Sequence, residues 1–486
     1  MNPFMKLKLF ALLIWLLSAC APQSSHAAPQ PAILLEKCAL VSPRGTQTDA
    51  RCGTLTVPED RANPGGRQIS LNIAVIPAIK RNPAPDPLFL LAGGPGQSAI
   101  EAFPAMLPLL YDIHESRDIV LVDQRGTGQS NPLRCLNPED QTLTDEQALE
   151  QLKTCPQRLD ADPRFYTTEI AMTDLDEVRA ALGYDKINLY GASYGTRAAL
   201  TYLRMFPERV RTLTLDAVVD ADFIMFLDAA ADGQAALNAF FARCQADSAC
   251  NETFPHLEQE FSEVLARLEQ TPAEISLPHP LTHHPLNLTV TPRLVTGMVF
   301  NILYVPDLVA TLPVAIHAAY ADENYTPLVS SALMMTETGL YDGMFYAVTC
   351  TEDAPLIDPA EAARRSAGSV FSDRTVNFMA VCAEWPKGKV SDAFRAPAQS
   401  DVPVLILSGE ADPITPPYHA ERVAESLNNV LHILFPGMGH GNLASRCAAS
   451  LLRDFLQAGV LNRLDTSCVA EIQPPPFFVS FNGPRP

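Results

Sequence analysis

A chain of 486 residues with 47% hydrophobic and 19% charged residues has room for two or three domains, or for one large core with an insertion. That balance lies far from the low-hydrophobicity, high-charge composition of disorder. Its 35 Lys and Arg against 55 Asp and Glu leave a net charge of −20, which repels phosphate backbones and anionic lipid head groups and argues against nucleic acid as a partner.

The chain opens on a segment outside the expected fold. Lys6 and Lys8 precede the apolar run Leu9 to Leu17, nine residues that suit an export signal and fall short of the ~20 needed to span a bilayer. Leu17-Ser18-Ala19-Cys20 resembles the bacterial lipoprotein signal, in which the Cys is acylated and becomes the new N-terminus. This predicts residues 1–20 as signal, lipidation at Cys20 and membrane contact through that lipid. Ala21 after Cys20 lacks the Asp that suggests inner-membrane retention, which favours a periplasmic, outer-membrane-anchored protein. Plain secretion with cleavage after Ala27 stays open, because Ser25-His26-Ala27 also fits a small-residue cleavage site.

Cysteine usage points to the same compartment. Of 11 cysteines, setting aside Cys20 leaves ten in five successive couples. The simplest pairing joins neighbours: Cys38 with Cys52, Cys135 with Cys155, Cys244 with Cys250, Cys350 with Cys382, and Cys447 with Cys468. None has the paired CxxC spacing of a structural zinc site, so an oxidising compartment is the more economical reading.

After an N-terminal extension over 21–52, short apolar runs alternate with helical stretches. The predicted strands are Thr54 to Val57, Ile69 to Ile76, Leu88 to Leu91, Asp118 to Val122, Ile187 to Tyr190, Thr212 to Leu215, Val404 to Leu407 and Leu431 to Phe435. The first two read as an antiparallel pair and the last six as buried strands covered by helices on both faces. Thr173 to Leu182, Tyr194 to Phe206, Tyr418 to Ser426 and Asn442 to Gln457 are the predicted connecting helices. This is an α/β pattern, a mostly parallel sheet of about eight strands, with core over 53–216 and again over 401–486. Between them, residues 217–400 lose the alternation and read as a mainly helical cap, with helices at Asp232 to Cys244 and Leu257 to Leu268. The stretch from Gln473 to Pro476 and the residues after it read as an extended tail on the surface.

The strongest local motif is Gly191-Ala192-Ser193-Tyr194-Gly195, a G-x-S-x-G between a predicted strand and a predicted helix. A sharp strand-to-helix turn leaves no room for side chains at its flanks and projects the Ser193 hydroxyl at the helix N-terminus, as a nucleophile requires. The base and its orienting acid should follow in the order acid, then His. Asp412, in Ser408-Gly409-Glu410-Ala411-Asp412-Pro413, and His440, in Gly437-Met438-Gly439-His440-Gly441, both lie just past strand ends, where catalytic groups gather in open α/β sheets. Glu410 and Asp216 remain alternatives for the acid. An oxyanion hole needs the N–H of Tyr194 and one from an earlier loop. Leu91-Ala92-Gly93-Gly94-Pro95-Gly96 supplies that loop, with Gly94 favoured over Gly93.

Together, Ala92 to Gly96, Asp123-Gln124-Arg125-Gly126-Thr127-Gly128-Gln129-Ser130, Gly191 to Gly195 and the Asp412 and His440 segments resemble the α/β-hydrolase serine aminopeptidases. These are the prolyl iminopeptidases and, more closely, the secreted tripeptidyl aminopeptidases. The likeness covers nearly the whole mature chain, including Asp412-Pro413-Ile414-Thr415-Pro416. Ala92 departs from the His usual in the iminopeptidases, and Arg125 is a structural residue in the family. The resemblance implies an α/β-hydrolase fold with a cap, an acyl-enzyme mechanism on Ser193, Asp412 and His440, no cofactor and no metal. It implies a peptide substrate with a free N-terminus, whose ammonium needs carboxylate partners. Glu352, Asp353 and Glu384 stand beside Cys350 and Cys382 and would meet there if those cysteines bond, though each also reads as a solvated surface acid. Tyr346 and Trp385 would line that pocket or pack in the core. Two rival functions remain, a carboxylic-ester hydrolase or acyltransferase on the same triad and a non-catalytic binding lipoprotein. Epoxide hydrolases and dehalogenases would carry Asp where Ser193 stands.

Overall fold

The computed structural model describes residues 33–42, 45–137, 145–280, 283–334 and 339–485. The expected signal segment and Cys20 lie outside them. In chain order the strands are β1 (Glu36–Val41), β2 (Gln47–Pro58), β3 (Gln68–Ile76), β4 (Leu88–Leu91), β5 (Ile119–Val122), β6 (Ile187–Ala192), β7 (Val210–Asp216), β8 (Ala273–Pro278), β9 (Pro285–Val290), β10 (Val404–Gly409) and β11 (Val430–Phe435). One nine-stranded sheet has the order β1-β2-β3-β5-β4-β6-β7-β10-β11. The β1/β2, β2/β3 and β3/β5 pairs are antiparallel, and from β5 through β4 to β11 every pair is parallel.

Strands β4, β5 and β10 are buried at every position, which is why they read as continuous apolar runs. Successive side chains still alternate between faces. Phe89 and Leu91 pack with Ala198, Tyr202 and Leu203 of the helix Tyr194–Met205, whereas Leu88 and Leu90 pack with Leu452 and Leu456 of the helix Arg446–Ala458. Each such burial stabilises the fold by about 1.5–3 kcal/mol. β1, absent from the predicted set, is a mostly exposed edge strand with little apolar signal, and the Cys38–Cys52 disulfide joins it to β2.

Two predicted spans shift for visible reasons. The helix expected from Asn442 begins at Arg446 under a Ser445 cap, because the Asn442 and Leu443 N–H groups are bonded to the Asp216 carboxylate instead. Within the region expected to be mainly helical, the Pro- and His-rich segment forms the antiparallel hairpin β8–β9, in which Leu277, Leu286 and Val290 turn inward. Around it, the helices Ala229–Ala246, Leu257–Gln270, Pro292–Ile302 and Leu312–Ala321 enclose a core of their own, with Phe240, Phe261, Val299 and Phe300, whereas Asp342–Glu352 and Asp373–Glu384 pack Met344, Val348, Phe378 and Val381 onto the main core. The C-terminal tail does not simply lie on the surface. Phe477 is buried in that second core against Phe240, and the Phe478 N–H is bonded to Ala310 O at 2.9 Å.

The ten cysteines pair as neighbours: Cys38–Cys52, Cys135–Cys155, Cys244–Cys250, Cys350–Cys382 and Cys447–Cys468. That set fits an oxidising, non-cytoplasmic compartment. Among the described residues no helix is long and apolar enough to cross a membrane.

Candidate active site

β6 ends at Ala192 and the next helix begins at Tyr194, so Ser193 carries the whole reversal with φ 55° and ψ −127°. A non-glycine residue there costs about 1–3 kcal/mol and persists only when its surroundings hold it. They do: the Ser193 N–H donates to Asp216 O at 2.9 Å, and Ser193 O accepts from the Thr196 N–H at 2.8 Å and the Thr196 hydroxyl at 2.7 Å. The flanking glycines answer a close approach of backbone. A Cβ on Gly195 would stand 2.3 Å from Leu91 O, and one on Gly191 would stand 2.2 Å from Gly195 O.

Three acids are candidates to serve His440, and the structure gives each a different partner. His440 Nδ1 lies 2.9 Å from Asp412 Oδ2. Asp412 also accepts from the Ile414 and Thr415 N–H groups at 3.0 and 2.9 Å and from the Thr415 hydroxyl at 2.8 Å. Glu410 accepts the Gly437 N–H at 2.9 Å and so pins the start of the histidine loop. Asp216, fully buried, accepts from the Asn442 backbone and side chain, the Leu443 N–H and the Tyr190 hydroxyl at 2.8–3.0 Å. Its carbonyl holds Ser193 while its carboxylate holds the residues just after His440. One residue thus fixes the serine turn and the histidine loop relative to each other.

The electrostatics differ accordingly. Burial alone would push Asp412 up, but the charge of His440 and the surrounding N–H donors outweigh it and hold the carboxyl below the usual range. Burial would pull His440 down, and Asp412 reverses this, holding the imidazole above its ordinary 6.5. At Asp216 burial prevails over the hydrogen bonds and the carboxyl is pushed up.

Two further residues, Tyr304 and Thr415, contact the histidine and are not among those the sequence singles out as catalytic. The Thr415 hydroxyl is 3.2 Å from His440 Nδ1 as well as bonded to Asp412, and an Asp followed three residues later by Thr is a spacing that could have drawn attention. Tyr304, from the cap, accepts the His440 N–H on its carbonyl at 2.9 Å and sets its ring edge-on to the imidazole, centroids 4.8 Å apart. Nothing local in the sequence signals that long-range contact.

Of the two glycines in the loop after β4, the structure brings Gly93 rather than Gly94 against the serine. A Cβ on Gly93 would stand 3.1 Å from Ser193 Cβ, whereas one on Gly94 would first meet Gly96, Leu340 and Gln97. The Gly93 N–H points to Gln97 Oε1 at 3.2 Å. Tyr194 heads its helix, so its N–H has no intrahelical acceptor. Its hydroxyl is fixed by Gln124 at 3.0 Å and Thr168 at 2.7 Å. Arg125 is fully buried on Asp174 and the backbone carbonyls of Glu59 and Phe165, a purely structural set.

The expected cluster of Glu352, Asp353 and Glu384 does not form. The Cys350–Cys382 bridge exists, yet Glu384 is exposed while Glu352 and Asp353 point inward and are spoken for. Glu352 accepts from the Thr168 N–H and hydroxyl at 2.7 and 2.9 Å. Asp353 is bonded to Arg197 at 3.1 Å and Arg395 at 2.7 Å. An ammonium group would have to displace two guanidinium groups. Burial, with Asp353 adding to it, pushes Glu352 up to about 7. Trp385 is likewise a packed residue, its indole N–H on Leu152 O, with Tyr346 beside it at 5.6 Å between ring centroids. Among the described residues no group of three or more His, Cys, Asp or Glu is placed to hold a metal ion.

A serine at a strained strand-to-helix turn, with a histidine and a buried aspartate past later strands of a parallel sheet, is the arrangement of an α/β-hydrolase. Residues 86–445 match the family model for the alpha/beta hydrolase fold, and the chain belongs to that family. It is similar to serine protease Hip1 of Mycobacterium tuberculosis, 28% identical over 433 residues, which span 80% of this chain and 81% of that protein. It is also similar to tripeptidyl aminopeptidase of Streptomyces lividans, 27% identical over 470 residues, spanning 88% and 85%. Among solved structures, proline iminopeptidase of Mycobacterium smegmatis aligns over 84% of this chain and 98% of its own, with 17% identity and a TM-score of 0.41.

Proposed function

We propose that this α/β-hydrolase is an exported serine exopeptidase that removes residues, a proline-type or tripeptide unit, from the free N-terminus of peptides. The observation that carries the reading is the hydrogen-bonded His440–Asp412 pair, joined through Asp216 to the strained turn that presents Ser193. The relatives named serine protease and tripeptidyl aminopeptidase support the peptide as substrate. Residues 1–20 would direct export, and acylation of Cys20 would anchor the product.

In this reading the neutral imidazole of His440 takes the proton of the Ser193 hydroxyl as its oxygen attacks the scissile carbonyl. Asp412 keeps the second imidazole proton on Nδ1 and stabilises the imidazolium. The oxyanion is received by the Tyr194 N–H and by the loop of Gly93 and Gly94. Because Gly93 is the residue against Ser193, its N–H would leave Gln97 for the substrate oxygen. His440 then protonates the departing amine, and water repeats the sequence in reverse to free Ser193. Glu352 and Asp353 are left out as ammonium anchors because their oxygens are already bound.

The test is a paired assay of free-amine peptidyl anilides and their N-acetylated forms on purified, oxidised protein, with proline, alanine and three-residue leaders. Turnover of the free-amine forms alone is expected, and the preferred leader length names the unit released. Indifference to acetylation, or turnover of ester controls only, would replace the reading with a general esterase.

A further inference from the structure

Arg197, Thr201 and Arg204 fall on one face of the helix Tyr194–Met205, and that face lines a cavity of about 130 Å³. This is several times the ~10–15 Å³ that one water needs. Arg395 and Arg422 line it too, so four arginines of a chain with net charge −20 meet at one cavity, against two lining acids, Asp220 and Asp222. Arg197 and Arg395 are matched with Asp353 at 3.1 and 2.7 Å, and Arg422 with Asp220 at 3.3 Å. Arg204 is not matched in this way. Among the described residues its only carboxylate is Glu169 at 3.9 Å, whose two oxygens already take the Ser391 hydroxyl and N–H at 2.5 and 2.7 Å. Arg204 Nη2 is buried with no hydrogen-bond partner, and burial holds the group below the ordinary arginine value.

The donors left over call for one class of partner. Thr201 is buried in the cavity wall, and its hydroxyl has no hydrogen-bond partner among the described residues. An acceptor in the cavity therefore meets a guanidinium and a hydroxyl one turn apart on the same helix face. The planar guanidinium fork matches a carboxylate, and a charge-assisted bond offsets part of the desolvation of the cation. Much of the remaining wall is apolar, with Leu200, Val219, Phe394 and Val423. A phosphate would leave that wall uncovered, whereas a carboxylate on a small apolar body satisfies both parts. We infer that this cavity binds a small organic carboxylate, held by Arg204 and Thr201, at a site separate from the catalytic one. Ser193, Asp412 and His440 do not line it, and the inference does not depend on the peptidase reading.

The experiment is calorimetric titration of the oxidised protein with 4-methylpentanoate, its carboxamide, N-acetylleucine and inorganic phosphate. Wild type should bind the carboxylate about tenfold or more tighter than the carboxamide, and less so at high salt. Arg204→Gln should remove that preference and Arg204→Lys should keep part of it. Thr201→Val, nearly the same shape, should weaken carboxylate binding about threefold to tenfold. The preference should persist when Ser193 is blocked by a sulfonyl fluoride, which a carboxylate seated in the catalytic site would not allow. Four outcomes overturn the inference: acid binding that is absent or equal to that of the amide, a preference that survives Arg204→Gln, one lost on blocking Ser193, and phosphate bound as tightly as the acid. If the Arg204 variants do not fold, Thr201→Val decides, and an unchanged affinity there overturns it as well. N-acetylleucine bound more tightly than 4-methylpentanoate names a peptide C-terminus as the source and the reverse order a free organic acid; either supports the site.

Discussion

Two buried aspartates lie at the same edge of the sheet, Asp216 as the last residue of β7 and Asp412 in the loop after the neighbouring β10, and the two behave as opposites. Asp412 shares its oxygens between fixed backbone donors and one titratable partner, the imidazole of His440. Asp216 meets only donors that never titrate at working pH, the N–H groups of Asn442 and Leu443, the Asn442 amide and the Tyr190 hydroxyl. Both carboxylates pay the desolvation of burial, yet Asp412 is held below the usual range and Asp216 above it. A nearby cation, rather than the number of hydrogen bonds, decides which acid serves the reaction and which serves the frame.

Substitution should separate these roles, the largest effect first. Ser193→Ala and Asp412→Asn should each lower kcat by roughly four orders of magnitude with thermal midpoints near wild type. An Asn at 412 keeps one oxygen for the Ile414 and Thr415 N–H groups, but its NH₂ faces Nδ1 and forces the wrong imidazole tautomer. Since Asp412 is what raises His440, residual activity of Asp412→Asn should also show its acid limb at lower pH than wild type. Full activity in either variant would overturn the assignment.

Asp216→Asn should invert that balance. An amide accepts at one atom only, so its NH₂ would face donors that all need an acceptor, and stability should fall by about 2–4 kcal/mol. With the serine turn and the histidine loop no longer tied, kcat should drop about ten- to a hundredfold, less than for Asp412→Asn. Denaturant midpoints and kcat measured together test this; a stable variant with Asp412→Asn-like kinetics would make Asp216 the working acid.

Glu352 should give the smallest effect, visible mainly in pH dependence. It ionises near 4.5 when exposed and near 7 in the folded protein, so the fold prefers its protonated form. Wild type then loses stability as pH rises from about 4.5 to about 7, whereas Glu352→Gln has no proton to lose. The stability difference between them should move in the variant's favour across that window and stay level above it. A difference that does not vary with pH would show that Glu352 ionises normally.

The parts legible in the sequence were those set by short-range rules. Gly191 to Gly195 announced a turn, buried strands announced themselves as apolar runs, and Asp412 and His440 followed strands that could be found. The β8–β9 hairpin was hidden in a Pro- and His-rich stretch whose alternation is short, and β1 in a strand that buries almost nothing. The pairing of the acids near Cys350 is not legible, because a local disulfide says nothing about distant arginines. Arg197 lies over 150 residues upstream of Asp353, and no window along the chain contains both.

The Tyr304 carbonyl that receives the His440 N–H bears on engineering. A cap supplying a backbone acceptor and a ring to the histidine loop is not an exchangeable lid. A chimera that grafts another cap onto this sheet would strip His440 of both, even with Ser193, Asp412 and His440 unchanged. Recombination boundaries should therefore keep residues 303–305 with the segment 437–443, and a swap that respects only the cap's sequence limits should yield folded protein with a misaligned base.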